Sequence, residues 1–151
     1  MGAGSWTTEV EGGSVTSLAA WLLTGCGVAL ILIGGFFVVL RPPLMAEDVR
    51  YMGVTIEKID RDIPQLGKWL RRVFWVLGAY IVTTGVLVVY IASTGVRTGD
   101  VGAIAIIGTA GVLSIGWMSV VNFMIRSDFR WALVSLDSIW VCGVVLAVAA
   151  R

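Results

Sequence analysis

Four stretches of this chain are long and apolar enough to cross a lipid bilayer: Leu18–Leu40, Val73–Ala92, Val101–Ile125 and Trp131–Ala150. A helix needs about 20 apolar residues to span the hydrocarbon core. Inside lipid every backbone N–H and C=O must find a partner within the protein, so such runs fold as helices. The first two runs carry no charge, the third carries Asn122 near its end, and the fourth carries Asp137. Charged residues make up only 14% of the chain, where a soluble domain has roughly 25%. The expected fold is an all-α integral membrane protein. It is a four-transmembrane-helix bundle in one domain, residues 18–151, with a cytoplasmic amphipathic helix between the first two spans.

Residues 1–17 are rich in Gly, Ser and Thr and hold Glu9 and Glu11. They lack the basic region of a signal peptide. They are expected to form a flexible extracytoplasmic tail that ends in a helix start at Thr16 or Ser17.

Orientation follows from Lys and Arg. Four spans put the tail, the Ser93–Asp100 loop and the C-terminus on one side, with Arg97 and Arg151. The other side holds Arg41, Arg50, Lys58, Arg61, Lys68, Arg71, Arg72, Arg126 and Arg130. Nine against two is a strong bias, and the positive side faces the cytoplasm. The chain is therefore expected in a cytoplasmic (inner or plasma) membrane. Both termini lie outside, and loops 41–72 and 126–130 inside. Trp21, Trp69, Trp75 and Trp131 fall near the expected interfaces, where indole rings favour the headgroup level.

The connection between the first two spans opens with Arg41-Pro42-Pro43, which ends the first helix. Apolar residues then recur at Met45, Val49, Met52, Ile56, Ile59, Ile63, Leu66 and Leu70 in alternating steps of four and three. That spacing predicts an amphipathic helix over 44–63, stopped by Pro64. Its stripe of Val49, Met52, Ile56, Ile59 and Ile63 is expected to be an interaction face, with Glu57 and Arg61 exposed. The acids Glu47, Asp48, Glu57, Asp60 and Asp62 outnumber Arg50, Lys58 and Arg61 by five to three. Helices built to adhere to anionic lipid are basic instead. Two readings stay open: the helix lies on the membrane or over its own bundle, or it binds a partner.

An acid inside a span is costly and is a functional-site candidate by default. Asp137 lies seven residues past Arg130, about 10 Å into its helix. Asn122 lies four residues before Arg126, about 6 Å in. The short turn between them makes the last two spans antiparallel neighbours. Asp137, Asn122, Ser119, Ser135 and Ser138 are therefore expected to form a polar intramembrane cluster, with Arg72 and Arg126 as candidate cations reaching inward.

Catalytic chemistry is poorly supplied. The chain has no histidine, which removes the usual general base and the commonest metal ligand. Its two cysteines, Cys26 and Cys142, both lie within spans and form no CxxC pair. No catalytic set, metal site, cofactor or nucleic-acid partner is expected. Glycines in every span suit close helix packing. The leading expectation is a non-enzymatic accessory, scaffold or regulatory subunit working through helix–helix contacts, with membrane lipids around it and a homo-oligomer or larger membrane complex as its setting. The alternatives are a small oligomeric proton- or ion-coupled transporter or channel centred on Asp137, and a lipid- or quinone-handling membrane enzyme.

Overall fold

The computed structural model describes the backbone of residues 4–151 and the side chains from Ser14 onward. The described residues form helices and turns, with no strand among them. Four helices are long and apolar enough to cross a membrane: Ser14–Val39, Leu66–Val96, Val101–Met124 and Arg130–Ala149. In chain order the elements are α1 (Gly4–Val39), α2 (Ala46–Met52), α3 (Ile56–Asp62), α4 (Leu66–Ile91), α5 (Val101–Gly111), α6 (Trp117–Met124) and α7 (Arg130–Ala149). A π-helical turn, Ala92–Val96, extends α4, and a second, Val112–Gly116, joins α5 to α6 as one span.

Helix α1 begins at Gly4, not at Thr16 or Ser17. Gly, Ser and Thr are poor helix formers but none blocks the ladder, and no proline occurs before Pro42. Once the apolar span has formed, each added residue gains one hydrogen bond without a new nucleus. Residues 1–3 of the expected tail lie outside the described residues.

The spans pack in a definite order. Helix α1 lies between α4 and α7, and α7 also packs on α5 and α6. At the end away from the long connection, Gly95 of the π turn meets Ala103 of α5. The α1–α4 contact is the closest. A Cβ on Gly34 would lie 2.6 Å from the carbonyl oxygen of Gly78, and one on Gly85 would lie 2.6 Å from that of Gly27. Two antiparallel glycine pairs, Gly27 with Gly85 and Gly34 with Gly78, thus bring the backbones together. Each helix repeats its glycine after seven residues, the spacing that keeps one face on a neighbouring helix. One further heptad along each helix are Ala20 and Ala92, both buried. Lipid tails are as apolar as leucine, so close backbone packing has to hold such helices together.

The amphipathic helix expected over 44–63 is not continuous. Helix α2 ends at Gly53, which adopts a left-handed conformation with φ of 67°. Thr55 then caps α3 by accepting from the amide of Lys58 at 3.3 Å. Glycine at a left-handed position and threonine at an N-cap are strong stop and start signals, and here they override the apolar spacing. The apolar stripe is split as a result. Ile59 is buried and Val49 half-buried, while Met52, Ile56 and Ile63 are exposed. Glu57 and Arg61 are exposed as expected. The break at Pro64 is also as expected, since α4 starts at Leu66.

The glycine contacts yield a test. Gly34→Ala or Gly85→Ala forces a methyl group into a facing carbonyl, and should destabilise the protein by about 1–3 kcal/mol, the usual cost of overpacking. Gly25→Ala meets nothing within 4 Å and should be neutral or slightly stabilising. Unfolding midpoints in mixed micelles of a mild detergent and dodecyl sulfate measure both.

Candidate functional site

Asp137 is half-buried on α7 and faces the third span. A Cβ on Gly116, at the end of the second π turn, would lie 3.9 Å from its Oδ1. It makes no hydrogen bond or ion pair with any described residue. The other members of the expected cluster are not hydrogen-bonded to it. Asn122 donates to the Met118 carbonyl at 2.8 Å, Ser135 to Trp131 O at 3.0 Å and Ser138 to Val134 O at 2.8 Å. Each satisfies itself four residues back along its own helix, an outlet open to short polar side chains in helices. Arg72 and Arg126 are exposed and form no ion pair among the described residues. Ser119 is the exception, because its side chain is buried and its Oγ has no partner.

The cysteines do not pair. Cys26 is buried, with its Sγ 4.0 Å from Leu136 O, and Cys142 is exposed on α7. Trp140 is buried across the third span, where its Nε1 donates to Ile107 O at 3.2 Å and its ring covers Gly111.

The best-formed polar site lies at the end of the spans that carries the long connection. There α2 rests on the turn between α6 and α7. Glu47 is only 6% exposed. Its Oε2 accepts from Ser127 Oγ at 2.9 Å and from the Asp128 amide at 3.0 Å. Ser127 is fully buried, and its Oγ in turn accepts from the Phe129 amide at 3.1 Å. Arg130 donates to Ser127 O at 2.9 Å. On the surface above, Arg50 donates to Arg126 O at 3.2 Å and to Asp128 Oδ1 at 3.3 Å. Arg126 has a positive φ of 53°, which lets the chain reverse direction and turns the 127–129 backbone towards Glu47. A buried carboxylate is tolerated only when donors surround it, and this turn supplies them.

A second contact fixes the start of the same segment. Arg41 has a 9% exposed side chain and pairs with Asp48 Oδ2 at 3.3 Å. Its guanidinium lies 3.6 Å from the centre of the Phe74 ring and 5.2 Å from that of Phe37. Asp48 also accepts from the Met45 amide at 2.9 Å, which closes the first turn of α2. Farther along, the carboxyl of Glu57 is held below the usual range, first by its own backbone amide and then by the Thr55 hydroxyl.

By sequence Glu47 is only one of the five acids of the 44–63 segment, and its partner 80 residues away is not visible there. The available signal was weak: a short turn reading Ser127-Asp128, whose hydroxyl and amide need an acceptor. Chemically the site is a clamp. A serine hydroxyl bonded to a carboxylate resembles an activated nucleophile, but Ser127 is sealed from any substrate. Among the described residues no group of His, Cys, Asp and Glu is arranged to hold a metal ion. No family model, curated protein or solved structure matches the chain.

The clamp should be measurable. Glu47→Ala leaves the buried Ser127 hydroxyl and the partly buried Asp128 amide without their acceptor, a loss of about 1–3 kcal/mol. Ser127→Ala should cost less, and the double variant little more than Glu47→Ala alone. Glu57→Ala, on the exposed part of the same connection, should leave the thermal midpoint in detergent unchanged.

Proposed function

We propose that this chain is a non-enzymatic accessory or scaffold subunit of a cytoplasmic membrane, acting through helix–helix contacts. In this reading both termini lie outside, and the α2–α3 connection is the element it presents to the cytoplasm. The observation that carries the reading is the buried Glu47 clamp, because it fixes α2 on the α6–α7 turn instead of leaving a free loop. With α2 held, Met52, Ile56 and Ile63 stay uncovered on a charged connection. Large apolar side chains exposed together in that way mark an interaction surface. The acidic balance of the segment favours a protein over anionic lipid as the partner of this face.

The alternative, a proton- or ion-coupled oligomer, draws on a separate observation: the unpaired Asp137 carboxyl beside the π turn. π-Helical turns recur at functional sites, and intramembrane acids mark ion pathways.

One comparison separates the two. The full chain is extracted from its own membranes in mild detergent, as wild type, Ile56→Asp, Lys58→Ala and Asp137→Asn. The subunit reading predicts a stoichiometric complex larger than a homo-oligomer, lost in Ile56→Asp and kept in the other two. A homo-oligomer of this chain alone, untouched by Ile56→Asp, would contradict it. Proton or cation flux in liposomes that Asp137→Asn abolishes in a stable protein would establish the alternative.

A further inference from the structure

At the end of the spans opposite the clamp, α1 and the π turn of α4 face each other across a cleft of about 60 Å³. Ser17, Ala20, Trp21 and Thr24 line one wall, all from a single face of α1. Ser93 of the π turn and Arg97, the residue that follows it, line the other.

Two hydroxyls in this cleft behave unlike their counterparts elsewhere in the spans. Thr83, Thr84, Thr94, Thr109, Ser135 and Ser138 each donate to a carbonyl four residues back in their own helix. That outlet is open to any serine or threonine in a helix. Ser17 and Thr24 are half-buried, yet neither makes a hydrogen bond with any described residue. Arg97 likewise forms no ion pair among the described residues, and no acid lines the cleft. Asp100, the nearest acid along the chain, is occupied as the cap of α5, where it accepts from the Ala103 amide at 2.9 Å.

The chemistry of the lining selects the ligand. Guanidinium and indole N–H groups can only donate, and hydroxyls can donate as well. Donors around an uncompensated positive charge suit an oxyanion. They stand on two opposite walls, Ser17, Trp21 and Thr24 on α1 and Arg97 across from them. A tetrahedral phosphate presents oxygens to both walls, whereas a carboxylate offers both of its oxygens along one edge. The guanidinium fork also matches phosphate geometry. The volume admits one such group and excludes a nucleotide base or a peptide. Trp21 is exposed beside the cleft, and indoles favour the headgroup level. Lipid phosphates lie at that level, and dissolved phosphate reaches it from the water.

We propose that this cleft binds one phosphate group, with Arg97 supplying the charge and Ser17 and Thr24 the neutral donors. A phospholipid headgroup and free phosphate offer this same chemistry. The site does not rest on the subunit reading above, nor on which side of the membrane this end occupies.

The test uses the full chain labelled with fluorotryptophan and held in dodecyl maltoside, a detergent without phosphate. The fluorine resonance of Trp21 is identified with Trp21→Phe. Inorganic phosphate and dioleoyl phosphatidylglycerol are titrated separately at constant ionic strength. A saturable shift of that resonance is expected. Saturation by inorganic phosphate identifies the free anion as a ligand, and saturation by phosphatidylglycerol alone identifies the lipid. Sodium acetate and dioleoylglycerol, which lack the phosphate, should leave the resonance in place. Arg97→Gln should weaken binding by about ten-fold or more, the usual scale for losing a charge-assisted contact. Ser17→Ala with Thr24→Ala keeps the charge and favours the helix, and should weaken binding by about three-fold or more. Arg151→Gln, the other basic residue at this end, should bind as wild type does. Thermal midpoints show which variants remain folded, and if Arg97→Gln does not, the hydroxyl variant decides. The absence of a saturable shift with either phosphate carrier would overturn the proposal, as would an equal shift with acetate. Undiminished binding in the folded hydroxyl variant would reduce the effect to general attraction by charge and overturn it too.

Discussion

The backbone contact between α1 and α4 is the constraint on which the remaining geometry depends. Where Gly34 faces Gly78 and Gly27 faces Gly85, there is no room for a side chain and no freedom to slide by a residue. That register carries Phe37 and Arg41, at the end of α1, to Phe74 in the first turns of α4. The segment leaving α1 therefore starts from a fixed point. From there Asp48 is within reach of Arg41, and Glu47, its neighbour, points the other way into the α6–α7 turn. Helix α1 also receives α7, where Gly143 sits against Leu23. One helix thus sets the positions of the two that flank it, and of the connection that crosses their end.

Polar groups are treated in opposite ways at the two depths. At the clamped end Glu47, Ser127, Arg41 and Asp48 are buried or nearly so, and each has partners. Deeper in, the Asp137 carboxyl has none among the described residues, and neither does the Ser119 hydroxyl. An unmade hydrogen bond is expensive where no water can substitute. Satisfied groups account for rigidity at the end of the spans.

The spans were legible because length and lack of charge leave a helix no alternative in lipid. The residues that decide the connection were less legible. Gly53 interrupts an apolar repeat that is otherwise regular from Met45 to Leu70, and a periodicity argument that counts only apolar positions passes over it. The Asp137 carboxyl lies beside Gly116 of the third span, away from the polar residues that the sequence groups with it. Ser135, Ser138 and Asn122 turn to their own helices, an outcome that spacing along the chain does not reveal. The Glu47 clamp joins residues 80 positions apart, and no local pattern announces a contact at that range. The two π turns likewise carry no sequence signature, although Asp137 meets one of them and Gly95 lies within the other.

The central claim is that the connection between the first two spans is an integral part of the helical assembly, held on the α6–α7 turn. Hydrogen–deuterium exchange on the full chain in lipid nanodiscs tests it most directly. Amides of 46–52 and 127–129 should be protected to a similar degree and open together as one unit, because the Asp128 amide is bonded to a side chain of α2. Exchange of 46–52 at the rate of an unstructured peptide, with 127–129 still protected, would contradict the account.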